Sequence, residues 1–131
     1  MKNSKILKVI LFLLGLLLFA LGSWRLTDPI VFFENSGIIL ADEPGLLNEV
    51  RSAGAVIAGF GLVILLGAFI QKLTYSSTIV AMVVFLGFAI GRSISAMIDG
   101  DPGNAIKQAI IIEFVFGLIA TFALFKYRKE S

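Results

Sequence analysis

Four long apolar stretches, separated by shorter segments that are richer in polar residues, dominate this chain. Each holds roughly the 20 mostly apolar residues that a helix needs to cross a hydrocarbon layer of about 30 Å. The pattern therefore predicts an all-α fold, an integral membrane four-helix bundle that forms one domain over residues 1–131. The predicted spans cover residues 6–24, 52–70, 76–98 and 105–125.

The segments between the predicted spans differ in length and character. A minimal turn around Tyr75 joins the second span to the third, and residues 99–104, which are dense in turn formers, join the third to the fourth. The loop from Arg25 to Arg51 is longer and half apolar. We expect this long loop to lie in the membrane interface or to cap the bundle.

The first span also has features of a signal peptide. Lys2, Lys5 and Lys8 precede its apolar run, and residues 20–22 form a plausible small-residue cleavage site. We interpret the segment as a retained spanning helix.

The distribution of basic residues predicts the orientation of the bundle. The two tails and the turn after the second span hold seven Lys and Arg residues, whereas the opposite side holds four together with seven Asp and Glu residues. Because basic residues accumulate on the cytoplasmic side, we expect both termini to be cytoplasmic and the long loop to lie outside. The seven basic residues are Lys2, Lys5, Lys8, Lys72, Lys126, Arg128 and Lys129.

The composition supports a membrane protein and excludes several kinds of chemistry. The chain is 58% hydrophobic and 15% charged, whereas soluble domains average about 45–50% and about 25%. The absence of Cys and His excludes disulfides, thiol nucleophiles, imidazole bases and ordinary zinc or haem ligation, so we expect no cofactor and no metal. The net charge of +2 is too small to indicate nucleic acid as a partner.

Small residues at a spacing of four indicate the contact faces of the spans. Helices in lipid associate through close backbone approach, which small residues permit. Gly15 and Gly22 give a weaker signal of this kind in the first span. The expected packing residues are Gly54 and Ala58 in the second span, Gly87 and Gly91 in the third, and Gly117 in the fourth.

Charged residues lie on or near these faces. Arg51 shares the face of Gly54, Arg92 is close in angle to Asp99, and Glu113 lies within the small-residue stripe of its own span. Arg92 lies about 9 Å and Glu113 about 12 Å from the outer ends of their spans. We therefore predict a buried Arg92–Glu113 ion pair, because a lone charge there costs about 2.5–3.5 kcal/mol.

These residues resemble a known family. The run Arg51-Ser52-Ala53-Gly54, the pair Gly91-Arg92, the turn Asp99-Gly100-Asp101-Pro102 and Glu113 are similar to domain-of-unknown-function family 4345, short bacterial four-span membrane proteins. The resemblance covers nearly the whole chain. It implies a bacterial inner-membrane protein, carries no assigned activity, and draws attention to Arg51, Arg92, Asp99 and Glu113.

The charged residues lead to a functional hypothesis. Arg51, Arg92 and Glu113, with Asp99 nearby, would form an outer-leaflet polar pocket with one unpaired positive charge. Guanidinium groups suit carboxylate and phosphate, so the pocket would bind a lipid or another anionic amphiphile. In the purely structural alternative, the arginines extend to the interface and Glu113 only joins the third helix to the fourth. No nucleophile–base arrangement is present, so we expect no enzyme.

Two other kinds of function stay open. The protein could be an accessory or structural subunit that docks on other membrane proteins or on a second copy of itself. It could also be a proton-coupled transporter that uses Glu113 as a relay, because intramembrane carboxylates often serve that role. Small multidrug exporters of similar length carry their carboxylate in the first span, where this chain has no acidic residue.

Overall fold

The computed structural model describes residues 1–128 and confirms the all-helical class. Its helices are α1 (Lys5–Thr27), α2 (Pro29–Glu34), α3 (Pro44–Phe69), α4 (Thr74–Asp99) and α5 (Asn104–Tyr127), with a 3₁₀ turn at Gln71–Leu73. Four of them, α1, α3, α4 and α5, are long and apolar enough to cross a membrane. Lys129, which contributed to the predicted orientation, lies outside the described residues.

The loop after α1 is shorter and more helical than expected. α3 begins at Pro44 rather than at residue 52, and proline is favoured in the first turn of a helix because its missing N–H has no partner there. The short α2 begins after Asp28, whose carboxylate accepts a hydrogen bond from the Val31 N–H. Phe32 of α2 packs edge-to-face on Trp24 at 5.2 Å between ring centroids, which holds α2 against the end of α1.

Glycines bring α1 and α3 into backbone contact. Gly22 lies against the backbone of Gly54 and Ala58, and Gly15 lies against Gly61. The spacing of seven residues on each helix repeats the same face every two turns, so both glycine pairs lie on one seam. Gly54 and Ala58 are buried at this seam as predicted. The weaker small-residue signal of the first span therefore marks a seam at which the two helix backbones touch.

Hydroxyl groups join α3 to α4 at the end of the bundle where the described chain begins and ends. Ser77 Oγ donates to the Val63 carbonyl at 2.7 Å, and Thr74 Oγ1 donates to the Gly67 carbonyl at 2.8 Å. The Lys2 N–H donates to the Tyr127 carbonyl at 2.7 Å, so both ends of the described chain meet here.

The contact between α4 and α5 corrects one prediction. Gly117 lies against Leu86 as a packing residue should, but Gly87 and Gly91 are exposed, and a Cβ placed on either would meet no atom within 4 Å. The buried face of α4 contains Phe85 instead, which packs on Phe116 of α5 at 5.5 Å between ring centroids. Gly87 is two residues further along the helix, about 200° around it, and so faces away from α5.

Candidate functional site

A groove of about 860 Å³ separates α3 from α4 beyond their hydroxyl contacts. Its volume falls within the range of typical small-molecule sites, which is about 300–1,000 Å³. It follows α4 from Ile79 to Ser95, a length of about 24 Å. The hydrocarbon layer of one leaflet is thinner, at about 15 Å. Its walls are apolar along most of this length and include Val56, Ile57 and Phe60 of α3 and Val80, Val83 and Val84 of α4.

Arg25 of α1 reaches the polar end of the groove. It lies two residues before the end of α1, and its Nε donates to the Val50 carbonyl of α3 at 3.2 Å. The Arg25 Cζ atom also lies 5.1 Å from the ring centroid of Phe33, within the range of a cation–π contact. One hydrogen bond and one aromatic ring therefore hold this guanidinium in place.

Arg92 of α4 lines the same end of the groove and forms the predicted ion pair. Its Nε donates to Glu113 Oε1 of α5 at 2.8 Å, and its Cζ atom lies 5.3 Å from the ring centroid of Phe88. The Arg92–Glu113 pair is thus confirmed. It is only partly buried, with 31% of the Arg92 side chain and 15% of the Glu113 side chain exposed, because Arg92 borders the open groove.

Both arginines leave their terminal nitrogens available. Each guanidinium is anchored through Nε, and no residue within 1–128 accepts a hydrogen bond from an Nη atom of Arg25 or Arg92. The Nη groups are the fork that binds carboxylate and phosphate oxygens. Arg25, Arg92 and Glu113 together carry one net positive charge, and the described residues that line the groove include no Asp or Glu. The arrangement suits an anion.

The structure corrects the expected positions of Arg51 and Asp99. Arg51 does lie on the face of Gly54, but this face contacts α1, and Arg51 Nη1 donates to the Leu26 and Thr27 carbonyls at 2.6 and 3.1 Å. It therefore caps the end of α1, where carbonyls lack helical partners.

Asp99 lies at the exposed end of α4 and accepts a hydrogen bond from Ser95 Oγ at 3.1 Å, and it forms no ion pair with a described residue. Residues 1–128 contain no group of three His, Cys, Asp or Glu residues placed to hold a metal ion.

Sequence reasoning missed Arg25, Phe33 and Phe88. Arg25 follows Gly22 by three residues, so the two share a helix face, and this spacing could have identified Arg25 as a residue directed toward α3. Phe88 precedes Arg92 by four residues, the spacing at which side chains on a helix meet. Phe33 carried no such signal, because α2 itself was not predicted.

The fold defines a class of small all-helical proteins with four helices able to span a membrane. The chain belongs to the family described as a domain of unknown function (DUF4345), whose model matches residues 6–124, nearly the whole chain. The description of this family names no activity. No curated protein and no solved structure matches the chain.

Proposed function

We propose that this protein binds an anionic amphiphile in the groove between α3 and α4. The hydrocarbon chain would lie along the apolar walls, and the charged head group would lie at Arg25 and Arg92. The observation that carries the proposal is the pair of guanidiniums, each anchored through Nε and each with unpaired Nη atoms, at one end of a long apolar groove. The proposed role is binding rather than catalysis.

Energetics favour an anion at this position. Of two cationic side chains at one end of an apolar groove, only Arg92 has a carboxylate partner. An unpaired charge costs about 2.5–3.5 kcal/mol at the centre of a membrane-spanning helix and less near a helix end, where Arg25 lies. A phosphate or carboxylate head group would offset that cost through charge-assisted hydrogen bonds, while its chain would cover the exposed apolar walls.

The two alternatives have weaker support. In transport, Glu113 would have to release Arg92 before it could take up and pass on a proton, because the two side chains are joined at 2.8 Å. In an accessory role, a helix of a second copy or another protein would fill the groove against Gly87 and Gly91. An apolar helix would leave the Nη atoms of both arginines without partners. Location in a bacterial inner membrane and cytoplasmic termini stay predictions.

Native mass spectrometry of the detergent-purified protein tests the head-group contacts. We expect the wild type to retain an amphiphile, Arg25→Gln to lose it, and Arg51→Gln to retain it, since Arg51 carries the same group but caps α1 outside the groove. Circular dichroism spectra should match for all three proteins. Equal occupancy in the two variants, or no bound amphiphile in the wild type, would overturn the proposal.

A steric variant tests the apolar part of the groove. Gly87→Leu places a side chain into the open groove, where a Cβ meets no atom within 4 Å, so we expect normal folding and loss of the amphiphile. Gly59→Leu is the matched control, because Gly59 is equally open but does not line the groove. If Gly87→Leu instead abolishes a dimer of the wild type and no amphiphile is found, the groove is an interface between copies.

A further inference from the structure

We infer that Glu113 tunes the groove toward head groups with a single negative charge, an inference that rests on the proposed amphiphile binding. Glu113 does not line the groove. It acts through Arg92, because Glu113 Oε1 accepts a hydrogen bond from Arg92 Nε at 2.8 Å. Glu113 is therefore a positioning residue that also sets the net charge of the site.

The charge balance leads to the class of head group. Arg25 and Arg92 contribute two positive charges and Glu113 one negative charge, so one negative charge on the ligand brings the cluster to neutrality. A phosphodiester or a single carboxylate carries one negative charge. A phosphate monoester carries about −1.5 to −2 at pH 7, because its second pKa is about 6. A second ligand charge would face the Glu113 carboxylate with no further cation among the described groove residues.

A zwitterionic head group fits less well for a related reason. An ammonium group needs acceptors, and the described groove residues supply no carboxylate for it. The ammonium would also lie beside two guanidiniums of like charge. The groove therefore matches a lipid phosphodiester without an attached amine, such as the phosphate of a phosphatidylglycerol head group.

The test compares phosphatidylglycerol with phosphatidic acid of identical acyl chains at pH 8, with equal amounts added to delipidated protein and occupancy read by native mass spectrometry. Glu113→Gln removes one negative charge and keeps an oxygen that can accept from Arg92 Nε. We expect this variant to raise the ratio of bound phosphatidic acid to bound phosphatidylglycerol by roughly threefold or more, because the dianion gains more from the lost repulsion. An unchanged or lowered ratio would overturn the inference.

A second variant covers the case in which Glu113→Gln does not fold. Ser95→Asp replaces the hydroxyl that donates to Asp99 by a carboxylate, at an exposed position that lines the groove one turn beyond Arg92. We expect it to lower the same ratio, and an unchanged or raised ratio would overturn the inference. Asp101→Asn is the control, because it changes charge in the α4–α5 turn outside the groove and should leave the ratio unchanged.

The two possible failures are distinguishable. If the wild type binds neither lipid, the proposed function fails. If it binds both, but Glu113→Gln leaves the ratio unchanged or lowers it, only the role of Glu113 fails.

Discussion

Gly22 of α1 lies directly against the backbone of Ala58 in α3, with no space between them for a side chain. A Cβ at position 22 would also lie 2.7 Å from the Gly54 carbonyl oxygen, and all these neighbouring atoms belong to backbone that cannot rotate away. The α1–α3 seam therefore depends on glycine at this position. Because α1 carries Arg25 one turn further on, the same contact positions one guanidinium of the groove.

Gly22→Ala should destabilise the protein by about 1–3 kcal/mol, the usual cost of forcing extra volume into a close-packed contact. Unfolding in mixed micelles with increasing sodium dodecyl sulfate, followed by circular dichroism, measures the change. Gly59→Ala is the control, since a Cβ there meets nothing within 4 Å, and it should be neutral or stabilising by up to about 1 kcal/mol because alanine favours helix. Equal stability of the two variants would show that α1 and α3 do not approach this closely.

The Arg92–Glu113 pair allows a test of structure against function. Glu113→Met should destabilise the protein by about 3 kcal/mol, because it leaves Arg92 without its carboxylate within the membrane. The double variant Arg92→Met with Glu113→Met should recover most of that loss, since apolar residues often replace an ion pair without cost. If the pair serves binding, the recovered double variant should still lack the amphiphile. Full amphiphile retention by the double variant would leave the pair with a structural role alone.

The sequence predicts the four long helices and the Arg92–Glu113 ion pair because both follow from local rules. Helix length and apolar content identify the spans, and the short turn between α4 and α5 brings Arg92 level with Glu113. The lateral arrangement of the helices could not be predicted in this way, because small residues identify a contact face but not the helix that packs against it. Gly87 and Gly91 face the open groove rather than a neighbouring helix. Gly54 faces α1, and Arg51 on the same face therefore contacts α1 instead of the groove. The groove is lined by Arg25 in its place.

Arg51→Gln should lower stability modestly without affecting binding. Arg51 donates to two carbonyls at the end of α1, a charge-assisted cap at the negative end of the helix dipole. Because the contact is exposed, we expect a loss of about 1 kcal/mol, measured by unfolding in detergent at low salt. Added salt should reduce the difference between wild type and variant, since exposed charges are screened. A loss that does not depend on salt would contradict the electrostatic part of this cap.

The turn between α4 and α5 should show a specific pH dependence through Asp101. Asp101 Oδ1 accepts a hydrogen bond from the Gly103 N–H at 2.9 Å, and Oδ2 accepts one from Lys107 Nζ at 3.0 Å. These contacts hold the pKa of Asp101 below its ordinary value of 3.8, and the hydrogen bond from the Gly103 backbone has the largest effect. A lowered folded-state pKa stabilises the protein above pH 3.8, and this stabilisation is lost as the pH falls through the folded-state pKa.

Asp101→Asn should therefore have a slightly lower Tm than the wild type at pH 7, and the difference should shrink below about pH 4. Asp42→Asn is the control, because Asp42 is exposed and no described residue donates to it. A difference between Asp101→Asn and wild type that persists unchanged in acid would show that the carboxylate charge does not stabilise this turn.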